Sequence, residues 1–180
     1  MKNKIIIFTD GASKGNPGPG GWGAIVINLK VSKVESKNPE GEVIELGGRE
    51  EQTTNNRMEL TGAIKALEAS GTEEADIVVY TDSKYVIGGM TGWIKNWQKN
   101  NWRTAAKKEV LNRDLWERLN AAAEGKNITW TYVGGHVGVA GNERGDEIAS
   151  GLALGEKITL YQGPLAGYRV KILDLGVYDK

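Results

Sequence analysis

The chain has 180 residues, of which 39% are hydrophobic and 26% are charged, a composition typical of one soluble globular domain. It contains no cysteine and one histidine, which excludes disulfides, cysteine-ligated zinc, a thiol nucleophile and a multi-histidine metal site. A bound metal ion would therefore have oxygen ligands, which favours a hard cation such as magnesium or manganese.

The apolar runs are too short to cross a membrane, as residues 5–8 illustrate. The few residues before that run cannot supply the regions of a secretory signal. We therefore expect a cytoplasmic protein that does not bind membranes.

Patterns of apolar residues predict strands and helices in a mixed order. The predicted strands cover 5–8, 22–29, 42–48, 77–80 and 128–133. The predicted helical segments cover 55–70, 83–89, 91–123 and 142–154. This order predicts an α/β fold with a mixed five-stranded sheet and helices packed on it.

The segment 11–21 is rich in glycine and proline and predicts a turn, so the first strand should end at Asp10. The turn would join the first two strands in a hairpin. A glycine loop that binds a dinucleotide must open a helix, and this one leads into a strand. The sequence therefore gives no support for dinucleotide binding.

Basic and aromatic residues are concentrated in one part of a chain whose formal net charge is zero. Five cations and no acid lie between Lys95 and Lys108, and four of the six tryptophans lie nearby, at 93, 97, 102 and 116. This mixture is typical of a surface that follows a nucleic-acid strand. An amphipathic helix with core tryptophans and a solvated basic face would give the same pattern.

Four acids stand at the ends of predicted elements. Asp10 and Asp82 each follow a strand, whereas Glu59 and Asp146 lie in the first turns of helices with small apolar residues on the same face. Turn-forming aspartates and helix-start acids are the structural alternatives. If the two strands are parallel neighbours, their carboxylates would need a cation between them. Four converging carboxylates would suit two-metal hydrolysis of a phosphodiester.

The single histidine, His136, lies in a glycine-rich segment, 134–141. A role in proton transfer or product release near the metals is one interpretation. A solvent-exposed loop histidine is the other.

Four sequence blocks, in order, resemble those of the ribonuclease HI (type 1 ribonuclease H) family. They are DGASKGNPGPGG at 10–21, TTNNRMEL at 53–60, YTDSKYV at 80–86 and VGGHVGVAGNERGDE at 133–147. The resemblance covers residues 4–153 and implies a ribonuclease H-like fold with helices on both faces of the sheet. It implies an endoribonuclease that cuts the RNA strand of RNA–DNA hybrids, using Mg²⁺ or Mn²⁺, and leaves 5′-phosphate and 3′-hydroxyl ends.

The resemblance also assigns roles to residues. It makes Asp10, Glu59, Asp82 and Asp146 the metal-binding catalytic carboxylates and His136 an auxiliary catalytic residue. The implied nucleic-acid contacts are Asn16, Asn55 and Asn56 with the RNA strand, Thr54 and Asn112 with a DNA phosphate, Tyr85 and Trp93 with DNA sugars, and Trp97, Lys99 and Trp102 in a basic protrusion.

Two other functions remain open from the sequence. One is a nuclease or polynucleotidyl transferase of the same fold that acts on DNA. The other is a non-catalytic module that binds hybrids. We expect a monomer with a catalytic domain at 1–155, followed by an extension at 156–180 that is either an edge strand or an adhering tail of unknown role.

Overall fold

A computed structural model describes residues 3–30, 39–71, 74–134 and 138–173. The strands in these ranges are β1 (Asn3–Ser13), β2 (Gly18–Leu29), β3 (Gly41–Thr53), β4 (Ala75–Thr81), β5 (Asn127–Tyr132) and β6 (Gln162–Pro164). The α-helices are α1 (Asn55–Ala69), α2 (Lys84–Gly88), α3 (Ile94–Lys99), α4 (Arg113–Ala123) and α5 (Ala140–Ala153). A π-helical turn, Gly89–Trp93, joins α2 to α3. Among the described residues, no helix is long and apolar enough to span a membrane.

The strands form one mixed sheet in the order β5-β4-β1-β2-β3-β6. β1 is parallel to β4 and antiparallel to β2, and β4 is parallel to β5. The hairpin of the first two strands and the α/β class are therefore as predicted. β1 lies between a parallel and an antiparallel neighbour, near the centre of the sheet.

The prediction of five strands was wrong by one, because the extension adds β6 to the sheet. β6 pairs antiparallel with residues 42–44 of β3, at the edge of the sheet. It has only three residues and no apolar alternation, so backbone pairing rather than a sequence pattern defines it. The alternation at Val170 and Ile172 marked a different stretch, in which Ile172 is buried but no strand forms.

The prediction that β1 ends at Asp10 was also wrong. β1 continues to Ser13, and its last residues pair with Gly20, Gly21, Trp22 and Gly23 of β2. Glycine-rich sequence ordinarily indicates a turn. Here the small residues of β2 instead let helices approach the strand closely, and their backbone groups complete the ladder.

Apolar side chains cover both faces of the sheet, so helices pack on both faces as the resemblance implied. Ile5 and Ile7 face a core that includes residues of α1 and α4. Ile6 and Phe8 face the opposite core, on the side of α5 and the extension. This alternation follows from the period of two along a strand.

Candidate active site

Three of the four predicted acids meet just past the last pair of the parallel ladder between β1 and β4. Carboxylate oxygens of Asp10, Glu59 and Asp82 all lie within 4.8 Å of one another. Asp10 and Glu59 are buried, at 6% and 5% exposed, and Asp82 is half-buried. The structure therefore forms a compact acidic cluster from three separate elements.

Two of these acids owe their position to the parallel register of the sheet. β1 and β4 are paired from Asn3 with Ala75 to Phe8 with Tyr80. Asp10 and Asp82 are each the second residue beyond that last pair, so they stand at the same level. The condition set in the sequence analysis, that the two strands are parallel neighbours, is therefore met.

Glu59 reaches the other two acids because α1 packs very closely on β1. A Cβ added at Gly11 would lie 2.3 Å from the backbone nitrogen of Glu59, so only glycine permits this approach. Thr54 fixes the start of α1, since its hydroxyl accepts a hydrogen bond from the Arg57 N–H at 3.3 Å. Glu59 is thereby placed one turn into the helix, above the end of the parallel pairing.

Asp146 lines the same cleft from α5, but it is not among the three mutually close carboxylates. The cleft has a volume of about 430 Å³ and includes Asn142 and Ser150. The Ser150 hydroxyl donates a 3.0 Å hydrogen bond to Oδ1 of Asp146. The structure thus brings all four acids to one cleft, with Asp146 at a greater distance.

Burial and mutual repulsion disfavour the charged forms of the two buried acids. The pKa of Asp10 is raised to about 8, mainly by burial and further by the negative charges of Asp82 and Asp146. The hydrogen bond from the Gly11 N–H lowers it and offsets part of this increase. Burial, followed by the charges of Asp10 and Asp82, also raises the pKa of Glu59 well above its ordinary value. The cluster needs positive charge in order to ionise fully at neutral pH.

A divalent cation fits the donors of this cluster. Within the described part of the chain, Oε2 of Glu59 is buried without a hydrogen-bond partner, and Oε1 accepts a long bond, 3.4 Å, from the amide of Asn55. An unpartnered carboxylate oxygen that faces two other carboxylates has the chemistry of a ligand for a hard cation. Mg²⁺ and Mn²⁺ both suit such a set of oxygens.

The residues assigned to the RNA strand lie beside the acidic cleft. Asn55 lines the cleft, and its N–H donates to the side-chain oxygen of Asn16 at 3.4 Å. Asn56 is exposed on the first turn of α1, next to Thr54. The turn after β1 and the start of α1 therefore bring Asn16 and Asn55 together at the cleft, and Asn56 follows Asn55 on the same turn of the helix.

Of the residues assigned to the DNA strand, Asn112 and Trp93 form a connected group around Tyr85. Its hydroxyl accepts hydrogen bonds from the Asn112 amide at 3.2 Å and from the Trp116 indole at 3.1 Å. The ring of Trp93 is tilted against Tyr85, with centroids 6.2 Å apart. Asn112 has a left-handed backbone, with φ of 59°, directly before α4.

The tryptophans divide between core and surface, so the interpretation as core residues holds for only part of the set. Trp116 is fully buried, whereas Trp93 is 44% exposed and Trp97 lies between them, 5.8 Å and 5.4 Å from the two rings. Trp102 is half-buried beneath the guanidinium of Arg113, at 5.5 Å. The aromatic stack thus extends from the core to an exposed ring.

Lys99 is exposed at the end of α3, and no contact in the described part of the chain ties it to the Tyr85 group. Arg57 is a residue that the sequence analysis missed. It donates to Asn112 at 3.4 Å and forms a paired contact with Asp114 at 2.8 Å, so it links α1 to α4. Its position in the sequence, between the predicted site residues Asn56 and Glu59, could have indicated that Arg57 lies near the site. The prediction for His136 falls outside the described residues.

Comparisons with known proteins agree with this geometry. The profile of the RNase H family matches residues 2–153. A ribonuclease H from Francisella tularensis subsp. novicida is 51% identical over 149 residues, which cover 83% of this chain and 90% of that protein.

Solved structures share the fold. LC9-RNase H1, a type 1 RNase H with the type 2 active-site motif, superposes with a TM-score of 0.74 at 29% identity, covering 90% of this chain and 78% of that one. LC11-RNase H1, solved in complex with RNA/DNA hybrid, has a TM-score of 0.58 at 23% identity, covering 82% and 94% of the two chains, and shows the fold alone. From its matched residues, its acidic cleft and its relatives, the chain belongs to the RNase H family, as a type 1 ribonuclease H.

Proposed function

We propose that this nuclease is an endoribonuclease that hydrolyses the RNA strand of RNA–DNA hybrids with Mg²⁺, for which Mn²⁺ can substitute. The cleavage leaves 5′-phosphate and 3′-hydroxyl ends. The observation that carries the proposal is the acidic cluster, in which oxygens of Asp10, Glu59 and Asp82 lie within 4.8 Å of one another.

The four acids hold the cations and thereby set the place of cleavage. Asp10, Glu59 and Asp82 form the close part of the site, and Asp146 completes it from α5. When bound, divalent cations activate the attacking water and stabilise the departing 3′-oxygen. Asp10 and Glu59 lose their protons as cations bind, because the added charge lowers the two pKa values that burial raises.

The surfaces beside the cleft select the hybrid. Asn16, Asn55 and Asn56 are neutral amides that both donate and accept, so they suit the 2′-hydroxyls in the minor groove. Tyr85 and Trp93 offer ring surface to the sugars of the DNA strand. LC11-RNase H1, which shares the fold, was solved in complex with RNA/DNA hybrid.

His136 acts as an auxiliary proton carrier in this proposal. We predict that His136→Ala slows turnover but does not abolish it, since the acids and cations still activate water. Single-turnover cleavage rates across pH 6–9 would measure the effect, with the metal concentration held at saturation. A variant with the wild-type rate at every pH would contradict the role.

The decisive test compares RNA–DNA hybrid, duplex DNA and duplex RNA as substrates, with magnesium and with a chelator. We expect cutting of the RNA strand of the hybrid alone, only with the metal, and fragments whose 5′ ends lose phosphate to a phosphatase. Appreciable cutting of duplex DNA would favour a DNA-directed nuclease of the same fold. Tight binding of hybrid without any fragments in magnesium would favour a non-catalytic binding module.

A further inference from the structure

Glu45 is a third buried carboxylate among the described residues, on β3 and outside the acidic cleft, and it is 4% exposed. Both of its oxygens are fully occupied. Arg144 donates to them from Nε and from a terminal nitrogen at 2.7 and 2.8 Å. The Tyr168 hydroxyl and the Tyr161 N–H, both from the extension, donate at 2.5 and 2.9 Å.

These contacts join three parts of the chain that are distant in sequence. Glu45 belongs to β3 and Arg144 to α5, whereas the tyrosines belong to the extension. Arg144 also donates to the carbonyl of Thr159 at 3.0 Å, and the Glu45 N–H donates to the carbonyl of Tyr161 at 2.8 Å. The extension therefore encloses the ion pair of Glu45 and Arg144 from the side away from the cleft.

The anchored turn of α5 is the turn that carries Asp146. Residues two apart on a helix project about 200° from each other, so Arg144 and Asp146 face opposite ways. Gly145 lies between them and contacts the sheet, since a Cβ added at Gly23 would lie 2.5 Å from the Gly145 carbonyl oxygen. A shift of Arg144 would therefore move Asp146 relative to Asp10.

We propose that Tyr168 is a positioning residue that acts through Glu45 and Arg144 to hold Asp146 at the metal site. The proposal rests on the proposed function, because it takes Asp146 to be a metal ligand. It gives the extension a role in the chemistry of a family whose matched region ends at residue 153. The Ser150 hydroxyl orients the Asp146 carboxylate locally, and the Tyr168 network sets where the whole turn stands.

Tyr168→Phe tests the proposal, with Tyr161→Phe as a matched control. The two rings pack together with centroids 5.0 Å apart, but the Tyr161 hydroxyl donates to the Pro164 carbonyl and not to Glu45. Each variant loses one hydroxyl from the same part of the extension. The backbone N–H of residue 161 still reaches Glu45 in the control.

We expect Tyr168→Phe to raise the Mg²⁺ concentration for half-maximal cleavage by a few-fold. Glu45→Gln should raise it further, about tenfold, as for residues that support a metal ligand indirectly. The KM for hybrid should stay at the wild-type value in both variants, because the network lies away from the predicted substrate contacts. Tyr161→Phe should match the wild type in both quantities.

A direct readout is Mn²⁺ binding to the free proteins, followed by electron paramagnetic resonance. Binding should weaken in Tyr168→Phe and not in Tyr161→Phe, and amide exchange should quicken in α5 but not in α1. If both tyrosine variants lose equal thermal stability and bind Mn²⁺ equally well, the extension is only structural and the proposal is wrong. A wild-type protein that binds Mn²⁺ but does not cleave hybrid would instead overturn the proposed function, and the Mn²⁺ comparison would still decide the role of Tyr168.

Discussion

Asp10 shows how strongly the cluster opposes its own ionisation. Its ordinary pKa is 3.8, and in the folded protein the value is about 8, with burial as the first cause and the neighbouring acids as the next. Between these two pH values the unfolded chain has released a proton that the folded chain keeps. The free energy of unfolding of the metal-free protein therefore falls as pH rises through this window.

We predict that Asp10→Asn abolishes cleavage while hybrid binding survives, because the amide keeps the shape but loses the charge that a cation needs. The same change should raise the melting temperature in a chelator at pH 8, since it removes the repulsion. Thermal melts at pH 5 and pH 8 would measure this effect.

Asp76→Asn is the matched control for that prediction. Asp76 is exposed at the other end of β4 and accepts a hydrogen bond from Asn127 at 2.7 Å. This variant should cleave hybrid and respond to pH as the wild type does. A lower metal-free melting temperature for Asp10→Asn at pH 8 would show that the cluster does not carry the repulsion.

Trp93 is the exposed end of the aromatic stack, at 44% exposure. We predict that Trp93→Ala weakens hybrid binding by about 1–3 kcal/mol, the usual effect of losing one aromatic contact with a strand. Fluorescence polarisation in the Asp10→Asn background would measure the dissociation constant without cleavage. Leu154→Ala removes another exposed apolar side chain, 58% exposed at the end of α5, and should leave the constant unchanged. Equal constants for the two variants would make Trp93 a packing residue only.

At the scale of elements, α5 packs against the sheet at two glycines, Gly23 and Gly145, and only one of these positions has room for a side chain. A Cβ at Gly23 would lie 2.5 Å from the Gly145 carbonyl oxygen, whereas one at Gly145 would lie 3.5 Å from the Asp10 Cβ, an ordinary contact. The two positions face each other across one interface.

We predict that Gly23→Ala lowers the free energy of unfolding by about 1–3 kcal/mol, because α5 must move away from β2. Gly145→Ala should be neutral or should stabilise the protein by up to about 1 kcal/mol, because alanine favours a helix interior. Urea denaturation of both variants measures the difference. Equal destabilisation would mean that the spacing of α5 and β2 is not the limiting contact.

Helices and buried strands were predictable where packing repeats locally. Leu60, Ile64 and Leu67 mark α1 by their period, and the apolar run at 77–80 marks β4. β6 and the end of β1 were not predictable, because they depend on pairing with distant strands rather than on their own side chains. Local patterns carry little information about such edges.

The candidate site, like the fold, could be predicted from the sequence only in part. Asp10 and Asp82 follow from parallel strands that end at one edge, which a sequence can indicate. The contacts of Glu45 join residues 99 and 123 positions apart in the chain. No local pattern predicts contacts at that separation, so the contacts of Glu45 with α5 and the extension were not predicted.

At the scale of the whole molecule, a net charge of zero conceals two opposite regions. Four acids, Asp10, Glu59, Asp82 and Asp146, gather in the cleft. The exposed cations Lys95, Lys99, Arg103, Lys107 and Lys108 gather around α3 and the segment after it. The acidic cleft can therefore attract metal ions while the basic region around α3 attracts phosphates.

The extension should matter for global stability, because Ile172 is buried at 2% exposure and Glu45 accepts bonds from Tyr161 and Tyr168. We predict that deleting 156–180 lowers the free energy of unfolding by about 2 kcal/mol or more, the effect of removing one large aliphatic side chain from the core. The deletion also uncovers the β3 edge at 42–45, so the shortened protein should self-associate in sedimentation velocity while the full chain stays monomeric.

The stability that the extension adds to the fold should depend on pH because of Glu45. Burial alone would raise its pKa, but hydrogen bonds from Arg144, Tyr168 and Tyr161 lower it below the ordinary 4.5. The contribution of Glu45 is therefore complete above about 4.5 and is lost as pH falls through the lower folded value. The gap in stability between the full and shortened chains should narrow in acid. A constant gap from pH 7 to pH 3 would contradict this account.

Alternation along β1 has a consequence for how the gene can change. Ile6, Phe8 and Asp10 point to the side of α5, whereas Thr9 and Gly11 point to α1. One extra residue inserted between Ile7 and Phe8 would reverse every side chain after it. The carboxylate of Asp10 would then point into α1, at the place where only a glycine, Gly11, now fits. Such a protein would have nearly the same composition but would lack the carboxylate of Asp10 in the acidic cleft. The number of residues between the start of β1 and Asp10 therefore matters to the site as much as Asp10 itself.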